Sequence, residues 1–163
     1  MDALDQIVHS LSSNHDFILI DTPAGAGEMS LWALDTAKLG LCVLVDEPTA
    51  ISDAYRLIKY VLSIDPDYDF GSIVNFAEHE EDALSTIERF NTILSHFLQR
   101  ECTYLGFIPD HVYVRNTVKK QTTLLGMNPE NPINNEMEFI VQNIISTSNT
   151  LEQSQPQLAY FNL

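Results

Sequence analysis

The chain is 163 residues long, 45% hydrophobic and strongly acidic, with 23 Asp and Glu against 8 Lys and Arg and a formal charge of -15. That length suits one globular domain burying about 70% of its unfolded surface, and no run reaches the roughly 18 apolar residues that a membrane span needs. Charge of this sign and size repels phosphate backbones and anionic lipid heads, so neither nonspecific nucleic-acid binding nor membrane attachment is expected.

From the amino end, Leu4, Ile7, Val8 and Leu11 recur at helical spacing behind Asp2, an N-cap type, and Ser12-Ser13-Asn14 closes this first helix. Phe17 to Ile20 is an apolar run too short for a helix, halted by Thr22-Pro23 just after Asp21, and it reads as a buried parallel strand. Ligands of open α/β sheets bind beyond the carboxyl ends of the strands, so this strand would deliver Asp21 to a crevice, while Gly25 and Gly27 let backbone N–H groups approach an anion. A carboxylate beside an anion calls for a cation between them.

A short helix is predicted from Ser30 to Lys38 and a second strand from Leu39 to Val45, followed by Asp46-Glu47-Pro48. Ile51, Ala54, Tyr55, Ile58, Val61 and Leu62 make one face of a helix capped by Thr49 or Ser52 and closed by Asp65-Pro66-Asp67. The third strand is Ser72 to Phe76. An acidic run from Glu78 to Asp82 leads into a long helix whose Leu84, Ile87, Phe90, Ile93, Leu94, Phe97 and Leu98 are expected to face the sheet. A fourth strand, Tyr104 to Ile108, ends at Pro109-Asp110. Helices follow from Val112 to Gln121 and from Asn135 to Ile145, separated by a loop with Pro129 and Pro132, and residues 146–163 read as a polar, disordered tail. Strands alternating with helices predict an α/β fold with a mainly parallel sheet of about four strands flanked by helices.

At DFILIDTPAG the chain resembles the Walker B and switch II segment of MinD/ParA-type ATPases, and LVDEPTAISDAYRLIK, SIVNFAEHEEDALSTIERFNTILSHFL and YLGFIPDHVYVRNTVKKQ fall in that family's order. The spacing resembles the flagellar-number regulators FlhG, FleN and YlxH. The resemblance runs over residues 1–145 and implies the later part of a SIMIBI-type P-loop NTPase domain, a cytoplasmic protein, ATP and Mg²⁺ as cofactors, and protein partners. It implies Asp21 as a Mg²⁺ ligand, Pro23, Ala24 and Gly25 as the switch II turn near the phosphates, and Asn75, Pro109 and Asp110 on the adenine side. The family's lysine-bearing phosphate loop belongs upstream of this segment, and no Gly-Lys pair occurs in the sequence. This chain alone is therefore expected not to hydrolyse ATP. The strand carrying that loop lies beside the Asp21 strand in such folds. Either the Asp21 and Cys42 strands close up, or another polypeptide such as an N-terminal half supplies it, or two copies pair their edges as a homodimer.

A dinucleotide-binding reading is weaker: Gly25-Ala26-Gly27-Glu28-Met29-Ser30 has Ser30 where G-x-G-x-x-G needs its third glycine, although Asp46 stands about 20 residues on. The five histidines are scattered, which supports neither a Ser/His/Asp triad nor a zinc site, and Cys42 and Cys102 read as packed, reduced thiols. A noncatalytic interaction module built on the same fold is the alternative function.

Overall fold

A computed structural model describes residues 2–123 and 133–154. The loop with Pro129 and Pro132 and residues 155–163 lie outside the described residues. In chain order the elements are α1 (Asp2–Ser12), α2 (Glu28–Thr36), β1 (Leu39–Leu44), α3 (Pro48–Ile64), β2 (Asp69–Ala77), α4 (Glu80–Leu98), β3 (Thr103–Pro109), α5 (Val112–Lys120) and α6 (Asn134–Ser154).

The three strands form one parallel sheet in the order β1-β2-β3. Leu39 pairs with Asp69 and Leu44 with Val74 across the first ladder, and Ser72 pairs with Tyr104 and Asn75 with Ile108 across the second. Helices α3 and α4 are the two crossovers, and they pack over one face. There Leu44, Phe70 and Val74 of the strands meet Ile58 and Val61 of α3 and Ile87, Phe90 and Leu94 of α4. Helix α6 covers part of the other face, where Ile140 packs on Ile73 and Leu105. Phe90, Leu94 and Leu105 are fully buried, and each contributes on the order of 1.5–3 kcal/mol of apolar burial.

The β3 strand carries a bulge. Tyr104 pairs with Ser72 but Gly106 with Ile73, leaving Leu105 outside the count, and Gly106 takes φ +135, a conformation open mainly to glycine. A Cβ there would stand 2.7 Å from Ile140 Cγ1, so the missing side chain also lets α6 approach the strand. Asn143 Nδ2 of α6 then donates to the Leu105 carbonyl at 3.0 Å.

Four expectations are corrected. The sheet has three strands rather than about four, because Phe17 to Asp21 is extended but unpaired, with Phe17 49% and Leu19 78% exposed. An apolar run reports a side chain's preference for burial and says nothing of whether a neighbouring strand exists to take its N–H and C=O groups. Helix α3 is capped by Glu47 with Pro48 in its first turn, rather than by Thr49 or Ser52, since proline's fixed φ suits the first helical position. On α4, Leu84 and Phe97 point to solvent, and α6 runs on to Ser154 instead of ending at Ile145.

Candidate functional site

In a parallel sheet every strand ends on the same edge, so β1, β2 and β3 run out together at Val45-Asp46, Asn75 to Ala77, and Pro109-Asp110. Asn75 lies opposite Ile108 in register and Ala77 opposite Pro109, and the Asp110 N–H donates to the Ala77 carbonyl at 2.9 Å. Three of the residues singled out from sequence, Asn75, Pro109 and Asp110, are thus brought side by side on one rim. Arg89 of α4 pairs with Asp46 and so ties the end of β1 to the helix that leaves β2.

The polar groups at this rim are differently committed. Asp110 is paired with Arg115 of α5 at 2.5 Å, so its carboxylate is engaged, and its N–H is given to the Ala77 carbonyl. His111 caps the same helix, Nδ1 accepting from the Tyr113 N–H at 3.1 Å, which requires that nitrogen to be unprotonated. Asn75 Oδ1 accepts from the Phe76 N–H at 3.1 Å, and its half-buried amide retains a donor. At the mouth of α4, Asp82 Oδ2 accepts from the His79 N–H at 3.2 Å, an acid in the first turn where the helix dipole favours it.

Phe76 was not foreseen. It is a bulky residue at φ +59, a left-handed conformation such side chains rarely adopt, and it is 53% exposed beside Asn75. Strain of this sort collects at functional sites, and only coordinates reveal it, since nothing in the letters IVNFAE marks the dihedral.

Asp21, Pro23, Ala24 and Gly25 are placed differently. All four are exposed in the segment between α1 and α2, and among the described residues no hydrogen bond or ion pair joins Asp21 to Asn75, Pro109 or Asp110. Ser30 Oγ of α2 donates to the Pro23 carbonyl at 2.9 Å and fixes the far end of the turn. Gly25 has φ +94 with open space where a Cβ would stand, so the turn is a sharp one that leaves its backbone uncovered. The described residues contain no group of three or more His, Cys, Asp or Glu side chains able to hold a metal ion.

Burial pushes the Cys42 thiol up to about 11 and the Cys102 thiol up to about 12, the second also raised by Cys42, and both are free. An open groove lined by Asn91, Ser95, Glu101 and Tyr104 lies at the amino end of β3, opposite the rim. No helix among the described residues is long and apolar enough to cross a membrane.

No protein-family model matches the chain. It is 29% identical over 143 residues to the antiactivator FleN of Pseudomonas aeruginosa, covering 88% of this chain and 51% of FleN. It is 28% identical over 152 residues to the flagellum site-determining protein YlxH of Helicobacter pylori, covering 91% and 51%. An uncharacterized ATP-binding protein of Methanocaldococcus jannaschii is 31% identical over 130 residues, covering 79% and 46%. The chain thus spans about half the length of the curated relatives it matches. Its fold superposes on a chain of the MinC:MinD cell division complex of Aquifex aeolicus with a TM-score of 0.66 at 22% identity, covering 89% of this chain and 57% of that one. The strand order and these relatives agree: this chain belongs to the MinD/ParA-type ATPases, with FleN and YlxH among its relatives.

Proposed function

We propose that this chain is the base-side and switch portion of a cytoplasmic MinD/ParA-like ATPase that regulates the placement or number of a cellular structure, the flagellum first among candidates. The observation that carries the reading is the juxtaposition of Asn75, Pro109 and Asp110 on the carboxyl rim. An amide offers one donor and one acceptor, the pair that the Watson–Crick edge of adenine complements, and Pro109 with the Asp110 backbone bounds the ring from the next strand. Names of relatives support the same direction, one an ATP-binding protein and one a flagellum site-determining protein.

Asp21 and the Pro23-Ala24-Gly25 turn would serve the phosphate side, where the Asp21 carboxylate would hold a Mg²⁺, through water, beside the phosphates. Bound there, the metal would neutralise phosphate charge. The sequence holds no Gly-Lys pair of the kind a phosphate-binding loop carries, and phosphoryl transfer on this reading waits on a lysine and N–H cradle from elsewhere, with background hydrolysis by the chain alone. The test is calorimetry and phosphate release on the isolated chain with ATP and Mg²⁺. Weak or absent binding and background turnover are expected; turnover abolished by Asp21→Ala would refute the division of labour. A noncatalytic role for the same fold predicts no nucleotide effect on partner binding in any context.

A further inference from the structure

β2 is the middle strand, paired with β1 on one side and β3 on the other, and its alternation of faces fails at one residue. Phe70 and Val74 pack with α3 and α4, while Ile73 packs with α6. Strict alternation would send residue 76 to the α3 and α4 side, where a phenyl ring could be buried. Ala77 stands in that core instead, and the ladder passes from Asn75 opposite Ile108 straight to Ala77 opposite Pro109. Phe76 is therefore the extra residue of a β-bulge, turned out of the core at φ +59 and left exposed. Glycine or asparagine takes such a dihedral at little cost and phenylalanine at a larger one, and the exposed ring also forgoes the burial that the same strand offers Phe70. Among the described residues no aromatic ring pairs with it. The described fold recovers neither loss, whereas a ligand with a flat face would.

We infer that Phe76 is the platform on which a purine base stacks. The inference rests on the base-side reading of Asn75 and divides the labour between the two residues. The bulge lies at the carboxyl end of its strand, where ligands of parallel sheets bind, and bulges beside such sites re-aim a side chain. Asn75 Oδ1 accepts from the Phe76 N–H at 3.1 Å, and just beyond, the Asp110 N–H donates to the Ala77 carbonyl at 2.9 Å, so the outward turn is held on both sides. Phe76 meets the face of the base and Asn75 its edge. Every base has a π-face, so stacking adds affinity without choosing among bases, while an amide at the edge chooses. Phe76 sets how tightly a purine is held and Asn75 sets which one.

The experiment is proton NMR of adenosine and of inosine titrated with the chain, unaltered and as Phe76→Leu, Phe76→Tyr, Phe76→Gly and Asn75→Ala, beside urea unfolding of each protein. Saturable binding weaker than micromolar is expected, with the base H2 and H8 resonances moved upfield by the ring current of Phe76. Phe76→Tyr keeps that shift. Phe76→Leu and Phe76→Gly abolish it and weaken both nucleosides at least about fivefold, leaving their ratio unchanged, whereas Asn75→Ala changes the ratio. Phe76→Gly unfolds at no lower urea than the unaltered chain, because glycine relaxes the dihedral; a markedly earlier transition would mean that the ring serves the fold and overturns the inference. Binding that falls with Asn75→Ala but ignores Phe76→Leu also overturns it and leaves the base-side reading standing. Absence of any saturable binding overturns both.

Discussion

Asn91→Ala tests how the start of β3 is held against α4. The Asn91 side chain acts as a short surrogate strand: Nδ2 donates to the Cys102 carbonyl at 3.0 Å and Oδ1 accepts from the Cys102 N–H at 2.9 Å. Cys102 is only 4% exposed, so alanine would leave a buried donor and a buried acceptor together. Two net hydrogen bonds are worth about 1–3 kcal/mol, and the desolvation of orphaned groups adds to that, giving a loss of roughly 2–4 kcal/mol. Against a domain stability of about 5–15 kcal/mol, and with 1 kcal/mol moving Tm by about 2–4 °C at this size, the melt should fall by roughly 4–16 °C. Asn91→Asp separates the two bonds, because it keeps the acceptor for the N–H and turns the other oxygen against the carbonyl. It should cost at least as much as alanine. The assay is urea unfolding followed by circular dichroism at one protein concentration, so that self-association stays constant. A loss under about 0.5 kcal/mol for alanine would mean that water replaces both bonds and that the surrogate-strand account is wrong.

The Trp32 indole donates to Asp5 Oδ1 at 2.7 Å, and the nearby Asp35 carboxyl is raised above its ordinary value by burial first and by Asp5 second. Asp5→Asn keeps an acceptor for the indole and removes one cause, so an NMR titration should show Asp35 titrating lower but still above an ordinary carboxyl; no change would exclude Asp5 as a cause. Since the folded state holds that proton more tightly, stability through this group is greatest at low pH and declines as pH rises from the unfolded value through the raised one. Gly106→Ala must adopt φ +135 and meet Ile140, and should destabilise by about 1–3 kcal/mol on chemical unfolding. A neutral result would show that the bulge relaxes. Cys42, moved from 9.0 to about 11, should react with a disulfide reagent at pH 8 about a hundredfold more slowly than a free thiol, and rapid labelling of the native protein would contradict its burial.

Much of this architecture was legible in the letters. Leu39 to Val45, Ser72 to Phe76 and Tyr104 to Ile108 read as strands because each is a short apolar run closed by turn formers, and pairing confirmed all three, the first ending one residue earlier at Leu44. Parallel pairing then makes Asn75 and Pro109 neighbours without further information, which is why the rim could be anticipated. Phe17 to Asp21 failed for the complementary reason: a strand is a relation between two segments, and composition describes only one of them. Leu84 and Phe97 satisfied helical spacing yet stay exposed, Phe97 meeting Tyr55 of α3 edge-on instead of the sheet. Phe76 and the Asn91 clasp depend on a dihedral and on a hydrogen bond to the backbone, neither of which leaves a periodic trace.

The central claim is that Asn75 marks the base side of an ATP site completed by a phosphate-binding segment from outside these residues. Calorimetry tests it most directly, on the chain alone and on the chain joined at its amino end to the phosphate-loop half of a YlxH-like relative, each with and without Asn75→Ala. The account predicts no micromolar ATP·Mg²⁺ binding by the chain alone, micromolar binding by the joined protein, and at least a tenfold loss on Asn75→Ala, about 1.4 kcal/mol. Tight binding by the isolated chain, or binding by the joined protein that ignores Asn75→Ala, would contradict it.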